Sequence, residues 1–179
     1  MGRAKLENRK KIGILGGTFD PAHIGHIIIS KEAKKKFKLD QVVWALTKKN
    51  PFKTKSSLSL KDRIKYAKNI NSKNRFIKIG FYEKKIKSNK TIDLIKYFVK
   101  KNNNSKIYFI MGADNLVSFH KWKKSNLIPN LCKIIVFDRY GYKAKSLKSP
   151  TFKKYNKKDI NFIKFRKVNI SSSKLRKIW

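Results

Sequence analysis

Two of the chain's three histidines, His23 and His26, stand three residues apart just behind a double glycine. The segment runs Gly16-Gly17-Thr18-Phe19-Asp20-Pro21-Ala22-His23-Ile24-Gly25-His26, and its residue types suit phosphate. Gly16 and Gly17 let the backbone approach an anion with no side chain in the way. Asp20-Pro21 favours a tight turn with a preset φ. The three-residue spacing puts both imidazoles on one face of a first helical turn, beside free N–H groups and the positive end of the helix dipole. Imidazoles donating there bind triphosphate oxygens and stabilise charge that develops during group transfer. Such a pair is also half a metal site, but no third ligand lies nearby and the chain has no zinc-type spacing. Near the other end, Ser171-Ser172-Ser173-Lys174-Leu175-Arg176 offers hydroxyls and N–H groups at a helix start with an Arg one turn on, which suits β- and γ-phosphates. Alone, that stretch would be an ordinary helix cap.

The elements that must position these groups follow from periodicity. Ile12–Leu15 reads as a strand ending in the double glycine, and Ile24–Phe37 as a helix with lysines in its last turns. Val42–Leu46 is a second strand, followed by a polar loop containing Asn50-Pro51. Ser59 and Asp62 have the spacing of a capping box, opening a helix that reaches about Asn71. Phe76–Phe81 alternates as a half-buried strand does. A helix is expected over 91–101, a buried strand at Ile107–Met111, one or two helices over 114–128, and a strand at Ile134–Phe137. The polar, Lys-rich stretch 139–159 reads as a long surface loop with some local helix. A short strand at Phe165–Val168 and a final helix from Ser172 complete the pattern. Strands alternating with helices imply a doubly wound, mostly parallel sheet with helices on both faces, whose ligands sit at the carboxyl ends of the strands.

Length and composition fit one α/β domain spanning 1–179. A chain of this size buries about 70% of its unfolded surface, and the 40% hydrophobic fraction supplies a core despite a formal net charge of +37. The charge is nearly all Lys and is spread along the chain, with Arg only at 3, 9, 63, 75, 139, 166 and 176. Arg is the side chain suited to bidentate phosphate and base contacts, so no specific nucleic-acid partner is expected. Cys132 lies in an apolar stretch, where a buried thiol is expected. No segment approaches the roughly 18 apolar residues of a membrane span. The basic N-terminus lacks the long apolar region of a signal peptide, and Leu6 stands where myristoylation wants Ser or Thr; a cytoplasmic, non-membrane protein is expected.

The segment 16–26 resembles the signature of the H-x-G-H nucleotidyltransferase superfamily, and as a whole it is similar to that of the bacterial nicotinate-nucleotide adenylyltransferases. His23-Ile24-Gly25-His26 also matches the signature of class I aminoacyl-tRNA synthetases, whose tRNA-binding domains a chain of 179 residues could not hold. The resemblance covers nearly the whole chain and implies a Rossmann-like fold. Residues 170–176 look like the family's second phosphate motif, with Ser173 where Thr is usual. The resemblance implies that His23, His26 and Arg176 are catalytic. It implies ATP contacts by Gly16, Gly17, Thr18, Phe19, Gly25, Ser172 and Ser173, with Gly112 and Asp114 at the ribose. Asp114 also reads as a plain helix N-cap. Phe119-His120-Lys121-Trp122-Lys123 is similar to the family's Phe-His-x-Trp segment. It would stack Trp122 on a pyridine ring and bring donors near Lys123 to a nicotinate carboxylate; without the resemblance, Trp122 reads as core. Thr91 and Ser88 match a pattern with Thr at both places, and Lys53 of Asn50-Pro51-Phe52-Lys53 matches a loop that meets the mononucleotide.

The implied activity is adenylyl transfer from ATP to nicotinate mononucleotide, yielding nicotinate adenine dinucleotide and pyrophosphate for NAD biosynthesis. Mg²⁺ would ride on the ATP phosphates with no protein ligand, and family members often self-associate. The rivals are phosphopantetheine adenylyltransferase, which shares the fold but lacks the Phe-His-x-Trp segment, and a basic nucleic-acid-binding protein.

Overall fold

A computed structural model describes residues 9–49, 57–155 and 159–164. Six strands form one sheet: β1 Lys11–Gly17, β2 Gln41–Leu46, β3 Ile77–Phe81, β4 Lys106–Gly112, β5 Lys133–Phe137 and β6 Ile160–Ile163. Their spatial order is β3-β2-β1-β4-β5-β6, and every pairing is parallel. The chain winds outward from β1 to β3, returns to the centre at β4 and winds the other way. The topological switch lies between β1 and β4, where open α/β sheets bind ligands.

The helices are α1 Ile24–Phe37, α2 Leu60–Ile70, α3 Glu83–Ile86, α4 Thr91–Lys101, α5 Ala113–Ser118, α6 Ile128–Leu131, α7 Lys143–Leu147 and α8 Pro150–Tyr155. Because side chains alternate along a strand, the sheet feeds two cores, one on each face. Ile12, Ile14, Val43, Ala45, Phe109 and Met111 face a cluster closed by Ile92, Ile95 and Phe98 of α4 and Leu116 of α5. Leu15, Val42, Trp44, Leu46 and Ile110 face the other, closed by Ile27 and Ala33 of α1 and Ala67 of α2. Within the second, Trp44 Nε1 donates to Ser30 Oγ at 2.8 Å, and Ser30 Oγ donates to the His26 carbonyl at 2.8 Å. That chain ties β2 to the turn carrying the histidines.

The expected elements up to Phe137 stand within a residue or two, including the Ser59 cap, whose Oγ accepts from Asp62 N at 3.1 Å. Three differences are instructive. Residues 114–128 do not form long helices: α5 tightens into 3₁₀ turns at Phe119–Lys121 and Ser125–Leu127 before α6. The 139–159 stretch carries α7 and α8, and Ser146, Ser149 and Thr151 in and between them are buried. The sixth strand begins at Ile160, before the expected 165–168, where Ile160 and Ile163 turn inward. The expected strand at 165–168 and the last helix lie outside the described residues. Cys132 is buried, and that burial pushes its thiol pKa up to about 12.

Candidate active site

The pairing register aligns the strand ends. Phe81 pairs with Leu46, Leu46 with Gly17, Gly112 with Phe137, and Phe137 with Ile163. The candidate residues follow these ends, on loops that a rigid sheet edge holds in one row.

After β1 the chain turns through Phe19, left-handed at φ 48°, and a cis Asp20–Pro21 bond. The Phe19 ring is buried, stacked on Trp44 at 4.9 Å and tilted on His26 at 4.7 Å. Asp20, 2% exposed, accepts from the N–H groups of Ser57 and Leu58. Neither Gly16 nor Gly17 has a positive φ, so openness rather than conformation is what they supply at this edge. Gly16 alternates onto the face of Ile14 and Phe109, and Gly17 onto the face of Phe19.

His23 is the N-cap of α1 and His26 its third residue. The Gly25 N–H donates to His23 Nδ1 and the His23 N–H to His26 Nδ1, each at 3.1 Å. The His26 N–H meets the His23 carbonyl at 2.9 Å. The expected free N–H groups at this helix start are therefore largely engaged: three of them bond within the turn. A neutral ring that accepts at Nδ1 carries its proton on Nε2, so each imidazole is a donor at that nitrogen. Burial first, and the nearby Arg139 charge second, lower the His23 pKa from 6.5 to about 4. The ring centroids stand 3.9 Å apart, a separation that suits two neutral rings and disfavours two cations.

Asp114 follows β4 but does not cap α5; Gly112 is the N-cap, without a side-chain bond. Asp114 Oδ2 instead takes Arg139 Nη1 at 2.5 Å, across the ends of β4 and β5. Its Oδ1 is buried without a partner, open to a donor such as a sugar hydroxyl. Beyond β3, a cleft of about 630 Å³ is lined by Lys48, Leu60, Phe81, Glu83 and the 84–90 segment. Ser88 lies on its wall, but its hydroxyl donates to Asp93 at 2.7 Å and accepts from Lys90 N, organising the start of α4. Thr91 is the half-buried first residue of α4. Trp122 is half-buried against Phe119 at 5.1 Å and Phe109 at 6.2 Å, and its Nε1 is buried without a partner. It shares a sheet face with Gly16. Lys123 is exposed. Lys53, Ser172, Ser173 and Arg176 lie outside the described residues.

Two residues here are not among the sequence candidates, Arg139 and Arg63. Arg139 meets the site without any spacing signal, while Asp20 belongs to the motif as half of its expected turn. Arg63 of α2 is buried at 2% exposure; it falls on the apolar stripe of Leu60, Ile64 and Ala67, which is the signal that marks it.

The cytidylyltransferase-like family model matches residues 14–178. The chain is 61% identical over 172 residues to a Pelagibacter ubique protein named "Probable nicotinate-nucleotide adenylyltransferase", with 96% of this chain and 95% of that one covered. An Aquifex aeolicus protein of the same name is 34% identical, with 89% and 98% covered. Among solved structures, the Plasmodium falciparum nicotinic acid mononucleotide adenylyltransferase complexed with NaAD shares the fold at a TM-score of 0.74 and 21% identity, covering 94% of this chain and 83% of that one. With the glycine–histidine turn, the strand order and these relatives in agreement, the chain belongs to the cytidylyltransferase-like family and, within it, to the nicotinate-nucleotide adenylyltransferases.

Proposed function

We infer that the protein transfers the adenylyl group of ATP to nicotinate mononucleotide, releasing pyrophosphate and leaving nicotinate adenine dinucleotide in the synthesis of NAD. The observation that carries this reading is the 61% identity across almost the entire chain, joined to a neutral histidine pair at the switch point of the sheet.

A phosphate oxygen of the mononucleotide attacks the α-phosphorus of ATP in line. The bond from that phosphorus to the bridging oxygen breaks, and pyrophosphate leaves with the electron pair. A phosphate is already a nucleophile, so alignment and charge stabilisation are the protein's tasks. In this proposal the Nε2–H groups of His23 and His26 donate to the transferring and leaving phosphates, as does Arg176. Gly17, Thr18 and Phe19 present backbone, Ser172 and Ser173 hold the β- and γ-phosphates, and the Asp114 carboxylate takes a ribose hydroxyl. Trp122 stacks on the pyridine, while Thr91, Ser88, Lys53 and Lys123 surround the acceptor. Among the described residues no group of three or more His, Cys, Asp or Glu is placed to hold a metal ion, so Mg²⁺ fits here as an ion carried by phosphate oxygens and water. Its chemistry is to neutralise charge on the leaving group.

Magnesium-dependent pyrophosphate release from ATP, measured with nicotinate mononucleotide, nicotinamide mononucleotide and phosphopantetheine in parallel, tests the reading. Preference for the first is expected. Preference for phosphopantetheine would keep the phosphate turn and remove the pyridine pocket.

A further inference from the structure

Arg63 is nearly inaccessible to water, and its guanidinium meets backbone carbonyls from three segments. Nη1 donates to Thr18 O at 2.6 Å and to Thr47 O at 2.9 Å, Nη2 to Lys48 O at 3.1 Å, and Nε to Leu58 O at 3.2 Å. These carbonyls belong to the turn after β1, the turn after β2 and the approach to α2. Burying a guanidinium is costly, and desolvation lowers its pKa while the charges of Asp20 and then Glu83 oppose that shift. An apolar side chain would fill the same stripe of α2 without that cost. What it would not supply is a rigid fork of donors able to span three loops.

The bond to Thr18 has a directional consequence. In a trans peptide the carbonyl and the following N–H point to opposite sides of the chain, and Asp20–Pro21 is the cis bond here, not Thr18–Phe19. Anchoring the Thr18 carbonyl inward on Arg63 therefore aims the Phe19 N–H outward. That N–H has no hydrogen-bond partner among the described residues. Phe19 is also one of four non-glycine residues with positive φ among the described residues, a conformation that persists only where its surroundings hold it. Arg63 holds the carbonyl side of that peptide, and the ring stack of Phe19 on Trp44 holds the other. We propose that Arg63 is a positioning residue for adenylyl transfer: its grip on Thr18 presents the Phe19 N–H to the phosphates beside His23 and His26. This inference rests on the phosphate site assigned above.

The test joins kinetics to assigned ¹H–¹⁵N spectra of the full chain titrated with magnesium pyrophosphate. In the wild type, the Phe19 amide and the ring N–H signals of His23 and His26 should all move. In Arg63→Lys, which keeps the charge but not the fork, the histidine signals should still move and the Phe19 response should vanish. Turnover per folded molecule should fall about a hundredfold, with the KM for nicotinate mononucleotide within about threefold. Arg63→Gln, which keeps two donors, serves if the lysine variant does not fold. A variant that merely melts lower, with normal turnover and an intact Phe19 response, overturns the proposal. So does a wild-type Phe19 amide that stays still while both histidines respond. Silence from all three signals instead removes the phosphate site on which the proposal rests.

Discussion

At the residue scale, the central fact is that His23 and His26 bond each other's turn through Nδ1. That arrangement fixes both tautomers and makes each ring a neutral donor. His26→Ala should therefore lower turnover by about a hundredfold or more, read as pyrophosphate release at saturating substrates; near-normal turnover would take His26 out of the mechanism. The lowered pKa of His23 has a signed consequence. Between 6.5 and about 4 the unfolded chain binds a proton that the folded ring refuses. Stability from this residue is thus complete above 6.5 and is lost as the pH falls toward 4. His26 and Arg139 are the groups that face the ring. An NMR titration should show no inflection for His23 between pH 8 and 5, and His23→Asn, which retains a capping acceptor, should flatten the decline in melting temperature across that window. A midpoint near 6.5 would mean that the ring is not buried as described. The histidines were legible from sequence because spacing alone puts them together at a helix start. Arg139 was not: a single cation in a chain with 47 basic residues announces nothing until the carboxylate it meets is placed beside it. Arg63 is marked only by its place on the apolar stripe of α2, a signal of burial that does not say which carbonyls it meets.

At the element scale, α1 is fastened to β2 through one hydroxyl. Ser30 is fully buried, takes the Trp44 indole N–H and passes a bond to the His26 carbonyl. Ser30→Ala leaves that indole without an acceptor, a loss of about 1–3 kcal/mol, which for a chain of this length lowers the melting temperature by roughly 2–10 °C. Calorimetry decides; an unchanged melting temperature would mean that water reaches the indole. Gln41–Leu46 was legible as a short continuous apolar run, buried on both faces as a central parallel strand is, and Thr91–Lys101 because its burial follows a period of 3.6. Ile160–Ile163 was not, since four residues with two inward isoleucines are too short a pattern beside a lysine-rich stretch. The helical character of 114–128 was legible, but its apolar side chains fix burial and not whether the backbone winds as α or as 3₁₀ turns.

At the scale of the whole molecule, a net charge of +37 surrounds a site for two anionic substrates. Such a field raises the encounter rate and self-repels. Raising the salt from about 0.05 to 0.5 M shrinks the screening length severalfold. kcat/KM for ATP should then fall by about tenfold, while kcat stays within about twofold and the melting temperature rises. A salt-independent kcat/KM would show that the charge plays no part in capture. The order of the strands carries a last consequence. The described strands before Asn102 build the β3-β2-β1 wing and those after Ser105 build the β4-β5-β6 wing, and the wings meet along a seam from Lys11↔Lys106 to Leu15↔Ile110. Ile92, Ile95 and Phe98 of α4 belong to the first piece yet bury against Phe109 and Met111 of the second. Cut between Asn102 and Ser105, the two fragments would each be left with an unpaired strand edge and a bare apolar face. Each covers the other's apolar face, so the two fragments mixed together should regain pyrophosphate release that neither shows alone; activity in one fragment by itself would overturn this.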